Sequence, residues 1–196
     1  MNKTIIGTLV GATLLAGGCG TVAREMERLA VWSSPTPGTP SATSPPGSAT
    51  ASPGPADLKA AAQAALAAVP GSRLISIETE ENGTLWEVQV VGRDGTEHEM
   101  DVQAGKVVRG PATEGEDAAD KAKHRERVAA AKLDYAQAAD KILAAVPEGR
   151  ITELNLDGEA GRTVWESDVV TSNGVKREVA IDAATGTVTR NNGTTT

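Results

Sequence analysis

The chain has 196 residues, a formal net charge of -7 at neutral pH, one cysteine and two histidines. This acidic balance argues against binding to nucleic acid and against electrostatic adhesion to anionic lipid, because both require a basic face. The single cysteine excludes an intrachain disulfide.

The first 18 residues are predicted to be a lipoprotein signal peptide. Lys3 provides a positive charge, and the apolar stretch Thr4–Ala16 is shorter than the about 20 residues that span a bilayer. The sequence Leu-Ala-Gly-Gly-Cys ending at Cys19 resembles the lipobox of bacterial lipoproteins, with Ala16 where leucine is usual. The resemblance implies lipid attachment at Cys19 and a lipid-anchored location on the extracytoplasmic side of a bacterial cell membrane. The alternative is an ordinary cleaved secretory signal in which the cysteine is incidental.

Residues 19–55 are predicted to form a disordered tether behind the lipidated cysteine. The segment Ser33–Pro55 is rich in serine, threonine and proline and has neither charge nor a large apolar residue. Such a composition cannot bury a core. The segment should hold the folded part at a distance from the membrane.

The rest of the chain contains a duplicated unit. The segment Ala67–Leu74 returns as Ala144–Ile151, and Trp86-Glu87 returns as Trp165-Glu166. A repeat of about 55 residues indicates two small modules of one fold. We assign repeat 1 to residues 56–110 and repeat 2 to residues 134–191.

Each repeat is predicted to open with a short amphipathic helix. Asp57 and Asp134 are suited to be N-caps, because a carboxylate accepts hydrogen bonds from the free amides of the first turn. Apolar residues then recur at helical spacing. Pro70 and Pro147 should end the two helices.

Three strands and a short closing strand are predicted to follow in each repeat. Their expected ranges are 73–80, 84–91, 97–103 and 107–108 in repeat 1, and 150–157, 163–170, 176–182 and 187–189 in repeat 2. Alternation in the third strands predicts one buried and one wet face, with Glu97, Glu99 and Asp101 on the wet face. Trp86 and Trp165 should face the helices, and Ser167, which breaks the apolar pattern, predicts either a weaker core or a more exposed groove in repeat 2. The expected fold is α+β, with a helix on an antiparallel sheet of three or four strands in each repeat.

Residues 111–133 form a charged linker between the repeats. The segment Asp117–Lys132 has helical propensity and a local group of basic residues that includes His124. A solvated linker helix is the favoured interpretation of such a charge run.

The pattern of each repeat resembles PepSY domains. A helix, Ala-Val-Pro, Trp-Glu in the second strand and an Asp/Asn-Gly hairpin are followed by a closing Asp-Ala-x-Thr-Gly-x-Val. Repeat 2 has that ending in full over Asp182–Val188, whereas repeat 1 has the shortened form Gln103–Val107. The resemblance implies two tandem cystatin-like modules, each similar to half of a β-lactamase inhibitor protein. It also implies inhibition or restraint of a cell-surface or secreted peptidase.

The sequence argues against an enzyme and predicts no metal site or cofactor. Cys19 belongs to the anchor, and His98 and His124 are isolated in the sequence, so neither forms a recognisable catalytic or zinc motif. The acidic turns at Glu80–Gly83 and Asp157–Glu159 lack the ligand spacing of a dedicated calcium loop.

The tryptophan–glutamate pairs have two interpretations. In the first, each tryptophan anchors a core and each glutamate only faces water. In the second, the glutamate-bearing strand face contacts a partner protein. The candidate partner-facing residues are Glu87, Gln89, Glu97, Glu99, Asp101, Glu166, Lys176 and Glu178.

Three functional hypotheses remain open at this point. The first is a non-enzymatic lipid-anchored binding protein that restrains a peptidase. The second is a structural, assembly or sensory partner of another envelope protein. A carrier of a small ligand is the third, and an apolar pocket between helix and sheet would favour it.

Overall fold

The structure is a computed structural model that describes residues 55–113 and 115–194. The predicted signal peptide, the lipidation site Cys19 and the linker up to residue 54 lie outside these ranges. Within them, no helix has the length and apolar character needed to cross a membrane.

The described residues contain three α-helices, one short 3₁₀ helix (Glu81–Gly83) and eight strands. In chain order the α-helices and strands are α1 (Pro55–Ala68), β1 (Arg73–Glu80), β2 (Leu85–Val91), β3 (Glu97–Gln103), β4 (Lys106–Thr113), α2 (Ala118–Ala130), α3 (Tyr135–Ala145), β5 (Arg150–Glu159), β6 (Arg162–Val170), β7 (Lys176–Asp182) and β8 (Val188–Thr194). Each repeat therefore supplies one α-helix and four strands, and α2 lies between the repeats. The closing strands β4 and β8 are longer than predicted, because their pairing with β3 and β7 continues well beyond the residues that carry an apolar pattern.

The helix ends follow local chemistry more closely in repeat 2 than in repeat 1. Asp134 caps α3 through a reciprocal capping box with Gln137, which satisfies two free amides of the first turn. The predicted N-cap at Asp57 is wrong, because α1 already begins at Pro55 and places Asp57 within its first turn. Proline is well suited to a helix start, since it has no amide to leave unbonded.

All eight strands form one antiparallel sheet in the order β4-β3-β2-β1-β5-β6-β7-β8. The first strands of the two repeats, β1 and β5, pair at its centre, and we call this junction the seam. Ile77 pairs there with Leu154, its own counterpart in repeat 2, so the repeats meet in an approximately two-fold manner. The α+β class is confirmed. Two modules with separate sheets are not clearly shown, because the strands make a single large sheet.

Helices α1 and α3 pack on the same side of this sheet, which we call the helix face. The residues buried there alternate along the strands as predicted and include Trp86, Val88, Trp165 and Val169. They form one continuous hydrophobic cluster with the buried residues of α1 and α3. The two repeats therefore share one core, and we expect them to unfold together.

Helix α2 runs along one end of the sheet, from the β2–β3 hairpin to the end of β5. Arg125 donates a hydrogen bond to the carbonyl oxygen of Asp94 in that hairpin. Two residues further along α2, Arg127 forms an ion pair of 3.0 Å with Asp157 of β5. Two basic residues of the linker thus make intramolecular contacts, and α2 lies against the sheet.

Gly95→Ala is expected to destabilise the protein by about 1 kcal/mol more than Gly174→Ala. Both glycines occupy equivalent hairpin turns with positive φ, 90° and 81°. A Cβ at Gly95 would press on the backbone oxygen of Lys121 in α2, whereas one at Gly174 meets no atom within 4 Å. Urea denaturation of both variants measures the difference. Equal losses would show that α2 does not pack on this hairpin.

Candidate functional site

The side of the sheet opposite α1 and α3 carries polar side chains, and we call it the open face. Strand pairing places six carboxylates on this face in one row that crosses six neighbouring strands. We call this the acidic row; its members, from β3 to β7, are Asp101, Glu87, Glu78, Glu153, Asp168 and Glu178. The row crosses the seam between Glu78 and Glu153 and so belongs to both repeats.

Basic side chains partner the two ends of the acidic row. Arg109 of β4 donates two hydrogen bonds to Asp101, with distances of 2.6 and 2.8 Å. Near the other end, the Lys176 Nζ lies 2.6 Å from Asp168, and the Arg190 Nε lies 3.9 Å from Glu178. Each end of the row therefore has a basic side chain beside it.

The carboxylates at the centre of the row have no basic partner of this kind among the described residues. None of the ion pairs found among the described residues includes Glu78, Glu87 or Glu153. Like charges directly opposite one another on a sheet are destabilising. Burial first, and then the neighbouring carboxylates, raise the pKa of Glu78 and the pKa of Glu87.

Glu153 is the most strongly affected member of the row. Its pKa is raised from 4.5 to about 7, chiefly by burial and then by its hydrogen bond to Asp168 and the charge of Glu78. The side-chain amide of Asn155 donates a hydrogen bond to it and opposes the rise. Asn155 itself accepts a hydrogen bond of 2.6 Å from Ser76 across the seam. The charge of this carboxylate is thus unfavourable in the free protein at neutral pH.

A second polar row lies beside the acidic row on the open face. It runs through Glu99, Gln89, Ser76, Asn155 and Glu166, which pair in that order across the same strands. In repeat 2 the two rows border a polar depression of about 160 Å³. Its lining consists of Glu153, Asn155, Glu166, Ser167, Asp168, Glu178 and Arg190.

The structure brings most of the candidate partner-facing residues together on the open face. Glu87, Asp101 and Glu178 belong to the acidic row, and Gln89, Glu99 and Glu166 belong to the second row. Lys176 lies beside them through its ion pair with Asp168. Glu97 belongs to neither row; it lies beside His124 of α2.

Three members of the acidic row were not predicted from the sequence, namely Glu78, Glu153 and Asp168. Glu78 and Glu153 became part of the site through the pairing of β1 with β5, for which the sequence gives no direct signal. Their positions beside apolar strand residues were the available clue, since Ile77 and Leu154 are fully buried and their neighbours must point away from the core.

Two sequence expectations about this region are corrected. Asp101 was expected on a wet face but is only 8% exposed, because the Arg109 side chain covers it. Ser167 was expected to mark either a weaker core or a more exposed groove, and the exposed groove is wrong, because Ser167 is 5% exposed on the helix face. Its hydroxyl donates a hydrogen bond of 2.8 Å to the carbonyl oxygen of Glu153, so its polar group is satisfied within the core.

A separate cavity of about 250 Å³ lies where α1, α2, α3 and the sheet meet. Apolar residues such as Leu66, Leu156 and Trp165 line it, together with the polar residues Ser72 and Asp134. Pockets for small-molecule ligands commonly measure about 300 to 1,000 Å³. The cavity is of the kind that would favour a carrier, but its size supports that hypothesis only weakly.

The described residues hold no arrangement for nucleophilic catalysis around either histidine. None of the hydrogen bonds found in these ranges joins a serine hydroxyl to His98 or His124. His98 is half-buried in β3 and pairs with Val90 on one side and Thr113 on the other. The open face instead presents charged and hydrogen-bonding side chains on eight paired strands.

A comparison with known protein families finds a match over repeat 2. Residues 132–191 match the model of PepSY, the peptidase propeptide and YPEB domain. The assignment of repeat 1 to the same family stays a prediction from its sequence. No curated protein matches the chain.

One similar solved structure is a crystal structure described as a "putative lipoprotein" from Clostridium difficile 630. The two chains are 19% identical, and the likeness covers 63% of this chain and 84% of the other, with a TM-score of 0.43. At this level the likeness supports no argument about the fold or the function.

Proposed function

We propose that this protein is a non-enzymatic, lipid-anchored extracytoplasmic binding protein that holds a protein partner on its open face. The observation that carries the proposal is the acidic row, which crosses both repeats on the side of the sheet that α1 and α3 leave uncovered. The first candidate for the partner is a cell-surface or secreted peptidase, which would be inhibited by occupancy. The PepSY match of repeat 2 supports an extracytoplasmic, propeptide-like or inhibitor-like role.

Electrostatics supports a partner with a basic surface. The central carboxylates Glu78, Glu87 and Glu153 lie next to one another, and each has a raised pKa. The fold does not need three adjacent acids, since neutral polar residues would satisfy an exposed strand face without repulsion. A lysine or arginine of a partner would relieve that repulsion and keep all three carboxylates charged.

The shape of the open face supports docking of a protein surface. Eight hydrogen-bonded strands hold the side chains of both repeats in fixed relation, so little ordering is needed when a partner binds. Lipid attachment at Cys19 would keep this face near the membrane, and the linker of residues 19–55 would give it reach.

The test compares two charge-swapped variants of the lipid-anchored protein in envelope fractions of the native bacterium. Glu78→Lys/Glu87→Lys changes the open face, and Asp120→Lys/Glu126→Lys makes the same charge change on exposed positions of α2. We expect the open-face variant to lose affinity for the captured partner by at least about tenfold. The α2 variant should bind like the wild type. Equal binding by both variants would refute a role for the open face.

A proteolysis assay separates the peptidase hypothesis from its alternative. If the partner is a peptidase, deletion of the gene should raise extracytoplasmic proteolysis. Wild-type protein that is added back should lower proteolysis to its original level, whereas the open-face variant should not. If proteolysis is unchanged while the open face still captures a partner, the structural, assembly or sensory role is favoured.

A further inference from the structure

A second group of ionisable side chains lies away from the open face, where α2 meets the β2–β3 hairpin. Glu97 comes from the start of β3, Glu116 precedes α2, and His124 lies within α2. The His124 Nδ1 is 3.1 Å from the Glu116 Oε1, and the His124 Nε2 is 3.7 Å from the Glu97 Oε2. Each residue offers a ligand atom, and these atoms lie within 4.8 Å of one another.

Two atoms of this group are buried without a hydrogen-bond partner among the described residues. They are the Glu116 Oε1 and the His124 Nδ1, which face each other without the geometry of a hydrogen bond. The Glu116 side chain is 9% exposed and that of His124 is 14% exposed. Buried polar atoms in native proteins are almost always satisfied, so two facing atoms that are not satisfied call for a third group between or beside them.

Glu116 is also held in place from its other side. Its Oε2 accepts a hydrogen bond of 2.7 Å from the backbone amide of Glu97. This contact fixes the carboxylate and leaves the Oε1 directed at the histidine. A ligand oxygen that is oriented by a second hydrogen bond is a common feature of metal sites.

We propose that Glu97, Glu116 and His124 bind a divalent transition-metal ion of the zinc class. Carboxylate oxygen and imidazole nitrogen bind zinc at about 2.0 to 2.2 Å, so two such atoms around a tetrahedral ion lie about 3.4 Å apart. The separation of 3.1 Å between Glu116 and His124 is close to that value. Two carboxylates balance the charge of the ion, and the imidazole favours zinc over magnesium or calcium.

A bound metal ion would link α2 and the segment before it to repeat 1. The three ligands come from a strand, from the segment before a helix and from the helix itself, so the ion would add to the contacts that already join α2 to the β2–β3 hairpin. Repeat 2 has Lys176 at the position that matches Glu97, so the site belongs to repeat 1 and the linker alone. Three protein ligands also leave a position for water or for a group of another molecule.

The test titrates zinc alone into the full-length chain after removal of metal with a chelator. Calorimetry should show one ion bound per chain. His124→Ala and Glu116→Gln should each weaken binding by at least about tenfold, which is the loss that even outer-shell partners of a metal cause. His98→Ala is the matched control, since it removes the only other histidine of the chain, and it should bind zinc like the wild type.

Nuclear magnetic resonance of the wild-type histidine rings keeps the proposal testable if the variants do not fold. The ring signals of His124 should shift in proportion to zinc up to one equivalent, and those of His98 should stay in place. Absence of zinc binding would overturn the proposal, as would equal affinity in His124→Ala or equal shifts of both histidines. The contacts among the three residues would then serve the fold alone.

Discussion

Trp165→Ala is expected to lower the free energy of unfolding by about 3 to 5 kcal/mol, the usual cost of removing a large buried aromatic side chain. Trp165 is 2% exposed on the helix face. Its indole nitrogen donates a hydrogen bond of 3.1 Å to the carbonyl oxygen of Leu133, just before α3. The side chain therefore fills the core of repeat 2 and also fixes the entry of the chain into that helix.

Urea denaturation followed by far-ultraviolet circular dichroism measures this loss. The unfolding of Trp165→Ala should remain a single transition, because the sheet and the core are continuous between the repeats. Two separate transitions, or a loss below about 1 kcal/mol, would contradict the shared core.

A matched pair of tryptophan-to-phenylalanine substitutions tests how much the hydrogen bond of Trp165 contributes to stability. Trp165→Phe should cost more than Trp86→Phe, because it leaves a buried carbonyl oxygen without its donor. Trp86 is buried to a similar extent in repeat 1, and no hydrogen bond of its indole is found within the described residues.

Glu153→Gln is expected to stabilise the protein at pH 8 by about 1 to 2 kcal/mol and to change little at pH 4. The folded state raises the pKa of Glu153 from 4.5 to about 7, so it binds this proton more tightly than the unfolded state does. The associated stability is fully present below pH 4.5 and is lost as the pH rises through 7. The full shift would correspond to about 3 kcal/mol, which screening by solvent on the half-exposed face reduces.

Thermal or urea denaturation at several pH values between 4 and 8 tests this prediction. The wild type should lose stability relative to Glu153→Gln across that interval. Glu178→Gln, an exposed member of the same row, is the matched control and should alter the curve much less. A constant difference between wild type and Glu153→Gln at every pH would show that the charge of Glu153 is not unfavourable in the fold.

The local structure of each repeat could be predicted from the sequence because short-range patterns determine it. The start of α3 follows from Asp134 and Gln137, which form the capping box. The burial of Trp86 and Trp165 follows from the alternation of the second strands. Hairpins at Gly95 and Gly174 follow from the demand of tight turns for positive φ.

The joining of the repeats could not be predicted, because it depends on strand edges. The outer edges of β1 and β5 carry no residue pattern that distinguishes pairing with each other from exposure to solvent. Both strands also contain a register shift, between Leu74 and Ser76 and between Ile151 and Glu153. Such a bulge moves the following residues to the other face, so alternation counted from Ile151 would place Glu153 on the helix face, and only alternation counted from Leu154 places it on the open face.

The two candidate sites differ in how far the sequence reveals them. The open face was partly predicted, because Glu87, Glu99 and Asp101 alternate with apolar residues on single strands. The cluster at His124 was not predicted, since its members are 19 and 8 residues apart and meet only because α2 packs against the β2–β3 hairpin. Tertiary packing of a charged helix has no periodic signal when few of its residues are buried.

The central claim is that the open face holds the partner, and site-specific photocrosslinking in the native envelope tests it most directly. A photoreactive amino acid is placed at Glu87 on the open face in one variant and at Gln63, an exposed residue of α1, in another. We predict a discrete crosslinked partner from position 87 and none from position 63. A partner crosslinked from position 63 but not from position 87 would contradict the proposed docking face.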